Sequence, residues 1–465
     1  MDSLKEKMRN RIIGLLILLI AGIIAVTIIF QKKNEISGIN EMHPVAQIHI
    51  SSDFMKEYEL LWGDGYVDAF VRIEDGEYDV IEMAAGIKVR GNSTLEADKL
   101  SYAFKFDDNV DVLGMGKGKK WVLLANAYDP TLIRNYIALS VANRLRLDYT
   151  SECRFADVWI NDTYLGNYLL TEPVQDGEDR VDIHQALGDF LVEYEKTRCD
   201  EDETSYILTD DGYRYLIHDP KHASEEQAEY VLDVMNHVES VISEVKETDR
   251  KQSVFLSEKQ GEYTDRERSL SDDHSSDSGV GEISKLSEVI DIDSFVDYCV
   301  FAEFMKSVDM GFSSEYYYYK DGLLHAGPVW DYDMSAGNVN SSYYTHYSNL
   351  ATTGDSAQGL WIKEQGKLLK ELMDIGDFEK LVWDRYMDGE VQSIIEEIYK
   401  DEGLIDKVVE EYGESFKRNY YEAGWEEGKQ YFAYSGTPLP TFEENVDYLK
   451  QWYKRRNEWL LSEIK

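Results

Sequence analysis

Two hydrophobic periodicities divide the chain near residue 220. Before this point, apolar and polar residues alternate in short runs such as 99–107, a period that is typical of strands with one buried face. After it, apolar residues recur every three to four positions, as in the run that begins at Tyr230, which is typical of amphipathic helices. The pattern predicts an α+β protein with a β-rich N-terminal lobe over residues 46–220 and a mostly helical C-terminal lobe over residues 221–465.

An uncharged apolar run precedes this body. Residues 12–30 read IIGLLILLIAGIIAVTIIF, long enough to cross a bilayer as a helix at about 1.5 Å per residue. The run is longer than the core of most signal peptides, and no small-residue cleavage site follows it. We therefore predict a retained transmembrane anchor between a cytoplasmic tail (1–11) and a polar stalk (31–45). The basic tail favours a cytoplasmic N-terminus, so we expect a single-pass protein of the cell membrane with residues 31–465 extracytoplasmic.

Short polar pairs between the apolar runs predict where the chain turns. Asn161-Asp162 and Asp321-Gly322 each stand between two strand-like runs, as the two-residue loops of β-hairpins do. Asp129 followed by Pro130 predicts the start of a helix, with Asp129 as its N-cap. Ser224 with Gln227 three residues later is the pattern of a capping box at another helix start.

The charge of the chain excludes one class of partner. With 90 acidic and 48 basic residues, the formal net charge is −42. A field of this sign repels nucleic acid and anionic lipid, so we expect neither as a partner. Residues 246–285 carry part of this acidity, are rich in Ser and poor in apolar residues, and are predicted to be a disordered insertion.

The three cysteines do not indicate a metal site. Cys153, Cys199 and Cys299 lie far apart in the chain and show no metal-ligand spacing. One disulfide, for example between Cys153 and Cys199, is compatible with a location outside the cell. Cys299 falls on the apolar face of a predicted helix and is expected in the core.

The hairpin that turns at Asp321-Gly322 has aspartates at its open end. If this pair is the turn, antiparallel pairing places residue 310 opposite Asp333. Paired strands lie roughly 5 Å apart, so Asp309, Asp331 and Asp333 would meet. Such carboxylates repel one another unless a cation or protons relieve the repulsion, which predicts a metal site. The other interpretation is that these aspartates are solvated residues at a strand end.

Two lysines are candidates for contact with an anionic ligand. Lys99 and Lys105 lie on the alternating run 99–107, whose aromatic residues share one face. A lysine on a strand is commonly a solvated residue of the outer face, and this interpretation stays open beside the functional one.

Several motifs in chain order resemble those of the spore-coat CotH kinase family. They are Ile87-x-Val89-Arg90-Gly91-Asn92-Ser93-Thr94, Lys99-x-x-Tyr102-x-Phe104-Lys105-Phe106, Trp121-Val122-Leu123-Leu124-Ala125-Asn126-x-x-Asp129, Leu132-x-Arg134-Asn135, Val158-Trp159-Ile160-Asn161-x-x-Tyr164-Leu165-Gly166-x-Tyr168-Leu169-Leu170-Thr171-Glu172, Pro328-x-Trp330-Asp331-x-Asp333 and Val446-x-x-Leu449-Lys450-x-Trp452-x-x-x-Arg456. Together they span roughly residues 45–460.

The resemblance implies an atypical protein-kinase-like fold that binds ATP with Mg²⁺ or Mn²⁺. It implies transfer of phosphate to Ser or Thr of a protein, here one that is exported or belongs to the cell envelope. By position, Asp309 would be the catalytic aspartate, and Asp331 the metal-holding residue with Asp333 beside it. The residues expected at the nucleotide are Lys99, Lys105, Arg90 and, as an acidic partner of the lysine or the metals, Glu172.

The sequence departs from the family at the start of the hairpin. Ser314-Glu315 stands where the family usually has an Asn that binds the second metal, and Glu315 is then the expected ligand. Two other functions are compatible with the same residues. One is a catalytically degenerate domain that binds envelope proteins or glycans, and the other is a metal-dependent phosphohydrolase.

Overall fold

Alternation of buried and exposed residues builds the strands of the first half. In the first strand, Ile48 and Ile50 are buried whereas Gln47 and His49 are partly or fully exposed. The computed structural model describes residues 42–53, 65–91, 95, 97–196, 205–262, 279–340 and 355–464. Within these ranges the strands are β1 Ala46–Ser51, β2 Val67–Glu74, β3 Ile81–Arg90, β4 Ser101–Asp111, β5 Lys117–Leu124, β6 Cys153–Ile160, β7 Thr163–Thr171, β8 Phe190–Tyr194, β9 Ser205–Leu208, β10 Arg214–Asp219, β11 Glu315–Lys320 and β12 Leu323–Ala326.

The first seven strands close into a barrel in the order β1-β2-β3-β4-β5-β7-β6. Closure depends on β1, which pairs antiparallel with β2 on one side and parallel with β6 on the other. Large apolar side chains fill the interior, among them Phe104, Trp121 and Tyr168, each at most 1% exposed. A closed barrel leaves no strand edge unpaired, so its backbone groups are satisfied internally.

The other five strands form a second sheet in the order β12-β11-β8-β10-β9. The hairpin of β11 and β12 comes from the second half of the chain, whereas β8, β9 and β10 come from the first. The strand β11 pairs antiparallel with β8 as well as with β12. The sheet therefore joins segments that are far apart in sequence.

Helices provide most of the remaining structure. In chain order they are α1 Arg134–Arg144, α2 Glu225–Glu262, α3 Gly279–Leu286, α4 Ile292–Met305, α5 Ile362–Gln365, α6 Leu368–Met373, α7 Gly376–Tyr386, α8 Gly389–Tyr399, α9 Leu404–Tyr421 and α10 Phe442–Glu463. The predicted capping box precedes α2, where the Gln227 amide N–H donates to Ser224 Oγ at 3.2 Å. The side chain of Asp291 caps α4 by accepting from the Ser294 N–H at 2.8 Å, and α4 leads the chain to Asp309.

The predicted fold class, an α+β protein with a β-rich lobe, a helical lobe and a preceding transmembrane helix, is wrong. The β-rich half is a closed seven-stranded barrel, and the second sheet draws strands from both halves, so the two periodicities do not mark two lobes. The pairing of β1 with β6 joins segments about a hundred residues apart, and an alternating pattern carries no information about such pairing. In the part of the chain that the structure describes, no helix is long and apolar enough to cross a membrane.

Some sequence predictions fall on residues outside the described ranges. These are the tail at 1–11, the apolar run at 12–30, most of the stalk at 31–45, and Cys199. Of the segment predicted as an insertion, α2 continues to Glu262, and residues 263–278 lie outside the described ranges. Cys153 is a buried free thiol, and Cys299 is buried in α4 as expected.

Candidate active site

The hairpin predicted from Asp321-Gly322 is present with the predicted register. Tyr317 lies opposite Ala326 and Lys320 opposite Leu323, which is the pairing that the turn position requires. Both turn residues have positive φ, 53° for Asp321 and 86° for Gly322, as a type I′ turn demands. The hairpin therefore directs its open end toward the segments that carry the three aspartates.

The three aspartates influence one another's ionisation. Burial raises the pKa of Asp309 to about 8, and the charges of Asp331 and Glu195 add to the increase. Burial also raises the pKa of Asp331, against the opposing effect of Arg90. The pKa of Asp333 lies well above its ordinary value because of burial and the charges of Asp331 and Asp309. The structure thus brings these carboxylates into one region where their negative charges repel.

A small pocket of about 210 Å³ opens at two of these aspartates. Its lining is formed by the turn after α4 and by the start and end of the hairpin, namely Ser307, Asp309, Met310, Ser313, Ser314, Glu315, Trp330, Asp331 and Tyr332. Asp331 has a φ of 63°, a left-handed conformation that few residues other than glycine adopt. The carboxylates of Asp309 and Asp331 thus share one pocket.

Glu315 lines this pocket, but its carboxylate is engaged by its own loop. One oxygen accepts from the Gly311 N–H and the other from the Tyr317 hydroxyl at 3.1 Å. Burial raises the pKa of Glu315 to about 7. The geometry shows Glu315 closing the loop from Gly311, a role that the sequence did not indicate.

Arg90 is placed near the aspartates. Its guanidinium lies over the Trp330 ring, 5.4 Å from the centroid, and its positive charge opposes the rise in the pKa of Asp331. Arg90 is the last residue of β3, so the barrel supplies this cation to the hairpin of the second sheet.

The two candidate lysines lie elsewhere. Lys99 is buried just before β4, where its ammonium donates to the carbonyl oxygens of Ala125 and Asn167 and to Asn419 Oδ1. Burial lowers the pKa of Lys99 to about 7. Lys105 is exposed on β4. Neither lysine lines the pocket of Asp309 and Asp331.

Glu172 also lies outside that pocket, beside Arg180. Glu172 Oε1 lies 3.3 Å from Arg180 Nη1, and its other oxygen accepts from the Glu152 N–H at 3.1 Å. Burial raises the pKa of Glu172 to about 7 despite the arginine. The glutamate whose charge acts on Asp331 is Glu193 of β8.

Sequence reasoning missed Glu193 of β8 and Glu195, which follows the end of this strand. Glu193 and Glu195 are both 2% exposed, Glu193 lies opposite Tyr316 of β11, and Glu193 Oε2 lies 2.7 Å from His218 Nε2. The charge of Glu193 raises the pKa of Asp331, and that of Glu195 raises the pKa of Asp309. Glutamates at alternate positions of an otherwise apolar strand were the available signal, because a buried charge on a strand needs a partner or a function.

The donor chemistry of the pocket fits a hard divalent cation. Carboxylate oxygens are the ligands that Mg²⁺ and Mn²⁺ prefer, and a cation would relieve the repulsion between Asp309 and Asp331. Across the described residues, no group of three or more His, Cys, Asp or Glu side chains is arranged to hold a metal ion. Mg²⁺ is commonly held by one or two carboxylates, with water and substrate phosphate completing its shell, and this pocket offers that number.

A family profile matches most of the chain. The profile of a family described as CotH kinase protein matches residues 87–460, a range that includes Arg90 at the end of β3 and the whole hairpin region. No curated protein matches the chain at a significant level.

Proposed function

Because the chain belongs to the CotH kinase family, we propose that it transfers the terminal phosphoryl group of ATP to a Ser or Thr hydroxyl of a protein. The observation that carries the proposal is the convergence of Asp309 and Asp331 in one pocket, where the charge of Asp331 raises the pKa of Asp309. Phosphoryl transfer needs an acceptor-orienting carboxylate and a metal-holding carboxylate within one small volume.

Asp309 suits the role of the acceptor-orienting base. Its raised pKa makes its carboxylate a stronger base than that of an ordinary aspartate, and a base with a pKa near the working pH is the most effective. It lies in the turn that follows α4 and lines the pocket together with Asp331. From there the carboxylate accepts the proton of the acceptor hydroxyl.

Asp331, with Asp333 behind it, is the proposed holder of Mg²⁺ or Mn²⁺. When bound there, the cation supplies positive charge to the phosphate oxygens of ATP. Arg90 adds a second positive charge on the barrel side, where its effect on Asp331 is already evident. These charges offset the repulsion that the acidic pocket would exert on a nucleotide.

The buried position of Lys99 gives it no part in this proposal. Its ammonium has protein acceptors away from the aspartates. Arg90, whose charge acts on Asp331, is the proposed phosphate-side cation. Lys105 and Glu172 stay predictions for the nucleotide site. The location of the acceptor outside the cell also stays a prediction from the sequence.

The direct test is phosphotransfer by a matched pair of variants. The purified full-length protein is incubated with γ-labelled ATP and MnCl₂, beside Asp331→Asn and Asp321→Asn. Asp321 is the control because it lies in the turn at the other end of the same hairpin, and Asn tolerates its positive φ. We expect label on protein with the parent chain and with D321N, and a loss of order 10³-fold with D331N. Equal labelling of all three proteins would contradict the proposal.

A second candidate function is a binding module that has lost catalysis. It is favoured by Lys99 and Glu315, whose charged groups are both engaged inside the protein. The test is thermal unfolding with and without ATP and MnCl₂. An unfolding temperature that ATP and MnCl₂ leave unchanged, together with no transfer of label, would favour the module, whereas label on protein would exclude it.

A further inference from the structure

The turn that carries Asp331 and Asp333 is held by a side chain from another part of the chain. The N–H of Tyr332, between the two aspartates, donates to Asn135 Oδ1 at 2.7 Å. Asn135 is 4% exposed and belongs to the first turn of α1. Asp331 itself has a left-handed φ, and such a conformation persists where the surrounding contacts fix it.

A hydrogen bond to Asn126 sets the orientation of the Asn135 amide. Its Nδ2 donates to Asn126 Oδ1 at 3.0 Å, and Asn126 Nδ2 in turn donates to the Leu132 carbonyl at 3.0 Å. With its nitrogen committed to Asn126, Asn135 must present its oxygen to Tyr332. Both asparagines are buried, so water cannot substitute for a lost partner without cost.

The neighbouring residue fixes the far side of the same turn. Arg134 Nε donates to the Ser335 carbonyl at 3.1 Å, and Ser335 Oγ donates to the Tyr332 carbonyl at 2.6 Å. The arginine is itself held by Asp129, whose carboxylate accepts from the Arg134 backbone N–H at 2.8 Å and from its guanidinium. Arg134 and Asn135 thus hold the aspartate turn by hydrogen bonds at two points, the Ser335 carbonyl and the Tyr332 N–H.

We infer that Asn135 is a positioning residue for Asp331, fixing the direction of the metal-holding carboxylate through the Tyr332 N–H. The inference rests on the proposed function. Asn135 touches neither the pocket carboxylates nor the pocket itself, so its effect passes through the backbone of Tyr332. Outer partners that orient metal ligands commonly cost 10- to 100-fold in metal affinity or activity when they are removed.

The test compares Asn135→Ala with Asn419→Ala in the full-length protein. Asn419 is a matched control because it is also a buried asparagine. Its Oδ1 accepts from Lys99 at 2.8 Å and from the Asn167 N–H at 3.1 Å, and neither partner belongs to the aspartate turn. Mn²⁺ affinity is measured from the electron paramagnetic resonance signal of free Mn²⁺, and kcat and KM for ATP from label transfer. Urea unfolding without metal reports stability.

We expect both variants to lose stability, but only N135A to bind Mn²⁺ 10- to 100-fold more weakly and to lose kcat. Should N135A fail to fold, Asn126→Ala replaces it, because this variant removes the group that orients the Asn135 amide and leaves the Tyr332 contact in place. A smaller weakening of Mn²⁺ binding is expected there. Mn²⁺ affinity and kcat equal to those of N419A would overturn the inference and leave the proposed function standing. Absence of Mn²⁺ binding by the parent protein would overturn both.

Discussion

Arg456 of α10 and Glu303 of α4 form an ion pair of 2.6 Å in which both side chains are at most 1% exposed. The second guanidinium nitrogen of Arg456 donates to backbone carbonyls, and the carboxylate of Glu303 also accepts from the Trp361 N–H at 2.7 Å. The indole N–H of Trp361 donates to the Ser307 carbonyl at 2.6 Å, two residues before Asp309. The last helix of the chain thus supports the turn that carries the proposed catalytic aspartate.

Replacing Arg456 with methionine should destabilise the protein by about 3–5 kcal/mol, because Glu303 would be left as a buried charge without its partner. Urea unfolding followed by circular dichroism measures the loss. Arg455→Met is the control, since Arg455 is 44% exposed and lies 3.5 Å from Asp355, and such surface pairs contribute less than about 1 kcal/mol. Similar losses for the two variants would show that the buried ion pair contributes no more to the free energy of unfolding than the exposed one.

Without divalent cations, the contribution of Asp309 to the free energy of unfolding should fall as the pH rises from about 4 to 8. The unfolded chain releases the proton of Asp309 near the ordinary aspartate pKa, whereas the folded protein keeps it up to about pH 8. The folded state therefore binds more protons in this window, and raising the pH favours unfolding. Urea midpoints at several pH values in EDTA give the slope, and Asp309→Asn should make it shallower. An unchanged slope in Asp309→Asn would show that Asp309 does not contribute to the pH dependence of stability.

Added MnCl₂ should raise the unfolding temperature more at pH 8 than at pH 6. Protons and the cation compete for the carboxylates of Asp309 and Asp331. A larger fraction of these carboxylates is ionised at pH 8 than at pH 6, so the cation binds more strongly at pH 8. Differential scanning calorimetry measures the shift, and a chelator should reverse it. The response should be absent in Asp331→Asn. A shift that does not depend on pH, or that persists in this variant, would place the cation elsewhere.

Replacing Lys99 with methionine should cost stability and leave KM for ATP unchanged. The substitution removes the donor from Asn419 Oδ1 and from two buried carbonyls, each worth about 1–3 kcal/mol when left unsatisfied. Lys105→Met is the comparison, because Lys105 is exposed and its loss should change stability by no more than about 0.5 kcal/mol. Thermal unfolding and steady-state kinetics are measured on both. A higher KM for ATP in K99M at full stability would restore the nucleotide role predicted from the sequence.

The hairpin was predictable because its determinants are local. Asp321-Gly322 specifies a turn that needs two residues of positive φ, and the register then follows along both strands. The Asn161-Asp162 hairpin between β6 and β7 follows the same rule, with φ of 46° and 67° at its turn. Ser224 with Gln227 marked the start of α2 equally well. In each case the residues that decide the structure lie within a few positions of one another.

What depends on distant pairing could not be predicted. The helix expected at Asp129 begins at Arg134, because Asp129 accepts from the Arg134 N–H and guanidinium instead of capping the first turn at its own position. Lys99 has the spacing of an outward lysine, but the segments of Asn167 and Asn419 enclose it. The position of Glu193 beside the hairpin results from the pairing of β11 with β8. The contacts of Lys99 and Glu193 arise from assembly of the whole chain and leave no local pattern, whereas Asp129 and Arg134 are only five residues apart.

The order of strands in the second sheet has a consequence for biosynthesis. β8 is flanked by β10 and β11, and β10 follows it shortly, whereas β11 is made more than a hundred residues later. At roughly 5–20 residues per second of translation, one edge of β8 stays open for several seconds in the nascent chain. An open, apolar strand edge is a template for pairing with another chain. Several ribosomes on one message would thus bring exposed copies of β8 close together. Chaperone binding would then be needed while the residues between β8 and β11 are synthesised, rather than after the chain leaves the ribosome.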